Sequence, residues 1–445
     1  MGMTTRRGAW LAAALLGLGC GSVTGVPDGG TTDDGTDDQS DDTDDQPDDQ
    51  ADDQADDAVP EDASPADARP LPTAPPVTDG QAAILALGAP NFIDTTSGTA
   101  ADRFRWAGPI TDDGEALWVT DIGNGRALRF ATRPDAFETA ADLVTGQVDF
   151  ITREAGPTNT LLTPFEGLSE GLTDVVVAGG RLVVVDGNAN RVVIWNAVPT
   201  TDGAPADMVL GQTTFTGSAA GVNADQLSSP SGAWSDGETL IVVDQGNHRA
   251  LVWTSFPTEN GQPADLVLGQ ASFTSNAAPD PPTASSMSAP TDVVYDGERL
   301  YIADSANNRI MGWNGLPTAM NQPADFFVGQ PDAVSNVANA GAGPQNESAA
   351  GVHIPGAITV AHGSLFVADR VNFRVVVWSP RPDTTGDEAD AVLGFGALDG
   401  SVDPLEGQGF TPRGLGVVGD RLYLSDSNVA FGTSRVLVYQ LENLP

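Results

Sequence analysis

Few side chains in this chain have a type and spacing that could do chemistry. Asp174 and Asp292 are the clearest pair. Counting twelve residues back from a recurring aspartate gives six equivalent places, occupied by Pro109, Asp174, Gly232, Asp292, Ala357 and Gly414. Facing carboxylates at such places would hold a hard cation, and calcium is the cation that oxygen ligands of this kind suit. The plainer alternative is that they bond to neighbouring backbone. Arg413 directly precedes Gly414 and His353 lies four residues before Ala357, so both join the two aspartates as candidate ligand-binding residues. No residue is assigned a catalytic role. Zinc chemistry would need converging histidines or thiolates, whereas the chain has three histidines and one cysteine, Cys20. All twenty basic residues are arginine, which removes Schiff-base chemistry and the phosphate-loop lysine.

Charge narrows the partners. The formal net charge is −41, with 61 acidic residues against 20 basic ones. Nucleic acid and anionic lipid surfaces both need a positive stripe to bind, so neither is an expected target. A protein or small-molecule ligand is.

The first twenty residues read as a secretory signal: Arg6 and Arg7, an apolar stretch from Ala9 to Leu18, then Gly19-Cys20. The stretch is too short to span a bilayer as a mature helix. A lone cysteine at the end of such a stretch resembles the bacterial lipoprotein signal, in which the cysteine is acylated after cleavage and becomes the new N-terminus. The resemblance implies membrane attachment through the lipid only, in the cell envelope, on the outer-membrane, periplasmic or surface side. It departs in having Gly17 where the family prefers Leu, with Leu16 and Leu18 on either side. An ordinary cleaved signal with a stray thiol is the alternative. From 21 to 80 the expectation is a disordered acidic tether, because paired aspartates repel and little apolar surface offsets the chain entropy. Eighteen of the 61 acidic residues lie between Asp28 and Asp67. A coil of this length reaches about 45 Å. Doubled aspartates also supply calcium ligands, but the run lacks the alternating places around a turn glycine that calcium loops use.

The candidate site has to be positioned by the rest of the chain, which is repetitive. Six times an aspartate is followed by an arginine and, four residues later, by an aromatic: Asp121, Arg126, Phe130; Asp186, Arg191, Trp195; Asp244, Arg249, Trp253; Asp304, Arg309, Trp313; Asp369, Arg374, Trp378; Asp426, Arg435, Tyr439. Successive aspartates fall 57 to 65 residues apart, a period of propeller blades or solenoid units. Each unit contains short β-rich runs. In the fourth they are Thr291–Tyr295, Leu300–Ala303, Arg309–Trp313 and Ala324–Gln330, with Asp296-Gly297 as a hairpin turn between the first two. Six units of four short antiparallel strands make an all-β, six-bladed β-propeller over residues 81–445.

The Ala-Asp-x-Val-Leu-Gly-Gln block that ends a unit shows how the ring should close. It recurs at Ala141–Gln147, Ala206–Gln212, Ala264–Gln270, Ala324–Gln330 and, decayed, at Ala389–Gly394, yet nothing like it follows Arg435. The missing copy is Ala82–Gly88 at the other end. That N-terminal strand is expected to complete the last blade and remove two open edges.

Val242–Arg249, Ile302–Arg309 and Val367–Arg374 resemble the NHL repeat. Ala189 departs from it in the usual Asn place, and Ser427–Ser434 stretches the sixth unit. The resemblance implies a six-bladed propeller. For function it implies a range, from binding modules and sensor domains to a lyase, with six-bladed lactonases nearby, so function rests on the site itself.

Because it recurs in every unit, the Asp–Arg couple is expected to be structural: a charge-assisted pair across a turn. The recurring tryptophans are expected to pack between blades, and His248 is a motif residue. Function is expected where the repeat breaks, at the channel mouth and in the crossover loops Gln147–Leu172, Gly269–Pro290 and Gly329–Pro355, the last carrying Asp332, Asn346, Glu347 and His353. Together these features imply a lipid-anchored, extracytoplasmic binding or scaffolding module. The alternative is a metal-dependent propeller hydrolase or lyase of the lactonase kind.

Overall fold

The computed structural model describes residues 74–443 apart from 80, 95, 165–173, 344–345, 395–409 and 429–432. The expected signal at 1–20, its Cys20 and the tether up to residue 73 lie outside the described residues.

The described strands form six four-stranded antiparallel sheets. In the third, the order from the inside is Pro230–Ser235, Leu240–Asp244, Arg249–Trp253 and Leu266–Leu268. The second strands read as unbroken apolar runs, such as Leu117–Asp121, Leu240–Asp244 and Leu300–Asp304, and every residue in them is buried. Both faces of each blade meet a neighbour, so the alternation of a half-solvated strand is absent. The apolar core is accordingly divided into clusters lying between consecutive blades. One joins Val185, Ile194 and Leu210 of the second blade to Leu240, Leu251 and Trp253 of the third. The inner strands contact one another in a closed ring, each with the next and the sixth with the first. They line a central channel.

Between second and third strands the chain makes one tight turn, such as Ile122–Asn124 or Ser305–Asn307, and then passes through a left-handed residue before the arginine. That residue is Gly125 (φ 63°), Asn190 (51°), His248 (55°) or Asn308 (52°) in the first four blades. Glycine and asparagine adopt this region at least cost. The sixth blade differs because its strands are longer. Arg421–Asn428 pairs with Thr433–Gln440, and the extra residues extend both strands equally, so Asp426 still faces Arg435 in register. The stretched motif therefore keeps its pair.

The ring closes as expected. Leu85, Ala86 and Leu87 pair antiparallel with Val438, Leu437 and Val436, which makes the N-terminal strand the outer strand of the last blade. Packing begins earlier than residue 81. Val77 is fully buried in a cluster with Phe366, Leu422 and Leu441. Glu442 N donates to the Pro76 carbonyl at 2.8 Å, and Val392 N donates to Asp79 Oδ1 at 2.9 Å.

Removing residues 1–73 should leave a stable, monomeric propeller. Removing residues 1–90 strips the outer strand from the last blade and exposes backbone edges; that protein should aggregate on size-exclusion chromatography. Identical elution of the two would refute the closure.

Candidate functional site

The repeated residues form the frame around the channel. Asp121 Oδ2 accepts from Arg126 Nε at 2.8 Å, and the same bond recurs at 2.7–2.8 Å between Asp186 and Arg191, Asp244 and Arg249, Asp304 and Arg309, Asp369 and Arg374, and Asp426 and Arg435. The other carboxylate oxygen accepts a backbone N–H from the loop entering the inner strand: Arg105 at 2.6 Å, Ser228 at 2.6 Å, Ser288 at 2.7 Å, His353 at 2.7 Å and Thr411 at 2.9 Å. Asn124, Asn247, Asn307 and Asn372 add a side-chain donor. In the second blade, where Ala189 replaces Asn, Thr163 Oγ donates instead at 3.3 Å. Burial pushes these carboxyls above the usual range, against the pull of the arginine and the hydrogen bonds.

The guanidinium reaches further than the aspartate. Arg249 donates to the carbonyls of Val222, Asn223 and Gln226 in the loop entering its blade and to Phe273 in the loop leaving it. Arg126 and Arg191 hold two loops in the same way, reaching Phe150 and Phe215. Arg435 binds the Phe92 carbonyl, tying the C-terminal strand to the N-terminal loop. Trp195, Trp253, Trp313 and Trp378 donate their indole N–H to carbonyls nine residues on. His248 Nδ1 accepts from Ala289 N at 2.9 Å. All of these act within the fold.

One further structural role lies outside the Asp–Arg motif. Gln147, Gln212, Gln270 and Gln330, which end the recurring block, donate Nε2 to two carbonyls each. Their recurrence at one place was the signal in the sequence that could have found it.

Asp174 and Asp292 stand at the channel mouth, at the motif-turn end of their inner strands. The carbonyl of Asp174 accepts from Val185 N and that of Asp292 from Ala303 N, one residue before the motif aspartates. Asp174 Oδ1 accepts from Val175 N at 2.8 Å and Oδ2 from Ala233 N, in the third blade, at 2.9 Å. Asp292 repeats this with Val293 N at 2.8 Å and Ile358 N, in the fifth blade, at 2.8 Å. Each carboxylate thus straps its own blade to the next. Asp174 is buried and Asp292 half-buried. Burial, opposed by the two backbone bonds, pushes Asp174 up to about 7. Asp292 is raised by burial first and by the charge of Asp174 second.

His353 and Arg413 stand elsewhere on the mouth. His353 is fixed by its backbone bond to Asp369, and its ring Nδ1 is buried with no hydrogen-bond partner. Burial lowers its pKa, against the opposing carboxylates of Asp369 and Glu347. Arg413 Nε donates to the Ser427 carbonyl at 2.9 Å. Among the described residues no group of three or more His, Cys, Asp or Glu side chains comes together as a metal site. The two channel aspartates would supply a cation with two carboxylates only, both already bonded to backbone.

A second repeat-breaking feature lies in the crossover loops. Asn91 Oδ1 accepts from Ile93 N and Asp94 N, both at 2.8 Å. Asp149 Oδ1 accepts from Ile151 N at 3.0 Å and Thr152 N at 2.6 Å, and Asp332 Oδ1 accepts from Val334 N at 2.9 Å and Ser335 N at 2.7 Å. These are three copies of one turn, each presenting an aliphatic side chain at its tip. Ile93 is 89%, Ile151 72% and Val334 54% exposed. The equivalent residues Thr216 and Thr274 are polar.

No protein-family model matches the chain, and no curated protein matches it. Among solved structures it is similar to a streptogramin B lyase (13% identity, TM-score 0.39, covering 76% of this chain and 85% of that one). It is also similar to virginiamycin B lyase from Staphylococcus aureus (11%, 0.39, 77% and 98%) and to BamB from Moraxella catarrhalis (12%, 0.38, 81% and 99%). Likenesses this distant say nothing about activity; the propeller is evident from the chain's own sheets.

Replacing Asp304 by Ala leaves Arg309, whose side chain is fully buried, without its counter-charge, and should cost ~3–5 kcal/mol. Asp244→Ala should cost a similar amount, since that pair is equally buried. Urea unfolding at constant m checks both; a loss under about 1 kcal/mol at either would contradict the shared structural role.

Proposed function

We propose that this protein is a lipid-anchored binding or scaffolding module of the cell envelope, built on an NHL-type propeller and recognising its partner through the crossover-loop face. The observation that carries the reading is the set of exposed aliphatics at equivalent turn tips. A single exposed aliphatic is ordinary, but Ile93, Ile151 and Val334 occupy one position of one recurring turn. Threonine at Thr216 and Thr274 serves the same place in two blades, so folding does not require the aliphatic. Loops on a rigid frame are where recognition resides, and desolvating isolated apolar tips favours a protein surface. The runner-up, a metal-dependent hydrolase or lyase, has no observation in its favour, because the channel aspartates gain no third ligand among the described residues.

The anchor rests on Cys20 following an apolar stretch and preceding the acidic tract. Cys20→Ser should move the protein from the membrane to the soluble fraction on ultracentrifugation, and unchanged partition would remove the anchor from the reading. The triple change Ile93→Asp, Ile151→Asp, Val334→Asp should leave the melting temperature within a few degrees of wild type, because the tips are solvated. Wild type from gently solubilised membranes is expected to run as a larger complex on native gels, and the triple variant is expected to run without it. A complex unaltered in the triple variant would refute the binding face.

A further inference from the structure

Asp174 and Asp292 differ from the six buried motif aspartates in what surrounds them. The six motif aspartates each carry an arginine on the carboxylate. The channel pair carries none: all four oxygens accept backbone N–H groups, from Val175, Ala233, Val293 and Ile358.

The two side chains also converge on one short stretch of the third blade. Asp174 binds the N–H of Ala233. A Cβ added to the preceding residue, Gly232, would sit 2.9 Å from Asp292 Oδ1. The missing side chain at Gly232 is what lets Asp292 lie there, and its Oδ1 is thereby brought within one residue of the Asp174 contact. Two ionised carboxylates so placed, stripped of much of their hydration and lacking a cation, repel each other, and protonation of one relieves both costs.

We propose that Asp174 and Asp292 form a proton-binding site, holding one proton between them at neutral pH and losing it to solvent as the medium turns alkaline, so that the blade contacts around the channel mouth respond to pH. The step is a simple equilibrium: one carboxyl O–H bond breaks and the proton passes to water. Burial and mutual charge raise both groups above the ordinary carboxylate range, and such a pair titrates as a unit. Among the described residues, the hydrogen bonds on the two carboxylates come from backbone alone, and the neighbouring charged or titratable groups are placed as follows. Arg370 lies with its stem against Gly356, Arg413 bonds the Ser427 carbonyl, and His353 N–H bonds Asp369. Asp186 and Asp304, behind the pair, are each held by their own arginine.

Linkage sets the sign of the effect. With folded-state pKa values above the unfolded value, the folded protein holds the extra proton between the two. The pair's stabilising contribution is therefore full below the ordinary carboxylate range and is lost progressively from there until pH has passed its folded-state titration. The melting temperature of the full-length protein should fall between pH 5 and pH 8.5 relative to that of Asp174→Asn, which cannot carry the second charge. Parallel curves would overturn the proposal. Should Asp174→Asn fail to fold, infrared spectra of the wild type decide the matter. A protonated-carboxyl band that persists at pH 6.5 and disappears by pH 9 supports the site, and its absence at pH 6.5 overturns it.

Discussion

The buried aspartate–arginine pair is the interaction on which the rest of the propeller depends. Such a pair is a weak source of net stability, since desolvating both charges costs about as much as their attraction returns. Its value here lies in what the guanidinium does with its remaining donors. Nε takes the aspartate, and the terminal nitrogens take carbonyls from the loops before and after the blade. The free carboxylate oxygen takes an N–H from the entering loop. One pair per blade thus satisfies loop backbone that could not be buried otherwise, and fixes where each crossover enters the next inner strand.

Ring closure extends the same device across the chain ends. In the first three blades the arginine reaches the carbonyl of the phenylalanine four residues past the outer-strand glycine. Arg435 does this to Phe92, although the two lie at opposite ends of the domain in sequence. The sixth blade is therefore a normal blade assembled from two segments. Its stretched motif is accommodated because Asp426 and Arg435 remain cross-strand neighbours when both strands lengthen together. Strand register, not loop length, is what the pair requires.

Departures from the repeat then acquire meaning by contrast. Asp174 and Asp292 occupy alternate blades, and each straps its blade to the adjacent one. Ile93, Ile151 and Val334 occupy equivalent tips on the crossover loops. The first set faces inward and carries charge without a counter-charge; the second faces solvent and carries apolar surface without cover. Neither is demanded by the frame, since Gly, Ala or Pro serves at the first place and Thr at the second in other blades.

The amino-acid sequence by itself determined the number of blades, the four strands of each, the pairing of Asp with Arg and the origin of the closing strand. All of these are periodic, and local β-propensity, turn chemistry and recurrence point the same way at every copy. It also singled out Asp174 and Asp292 as exceptions to their own pattern. What those two carboxylates touch was not legible, because the partners, Ala233 and Ile358, are backbone groups of other blades about sixty residues away and any residue but proline supplies an N–H. The packing of Val77 and the convergence of the two aspartates on Gly232 and Ala233 were hidden for the same reason. Contacts made by backbone, or by the absence of a side chain, leave no residue-type signature, and only the closed ring brings their partners together.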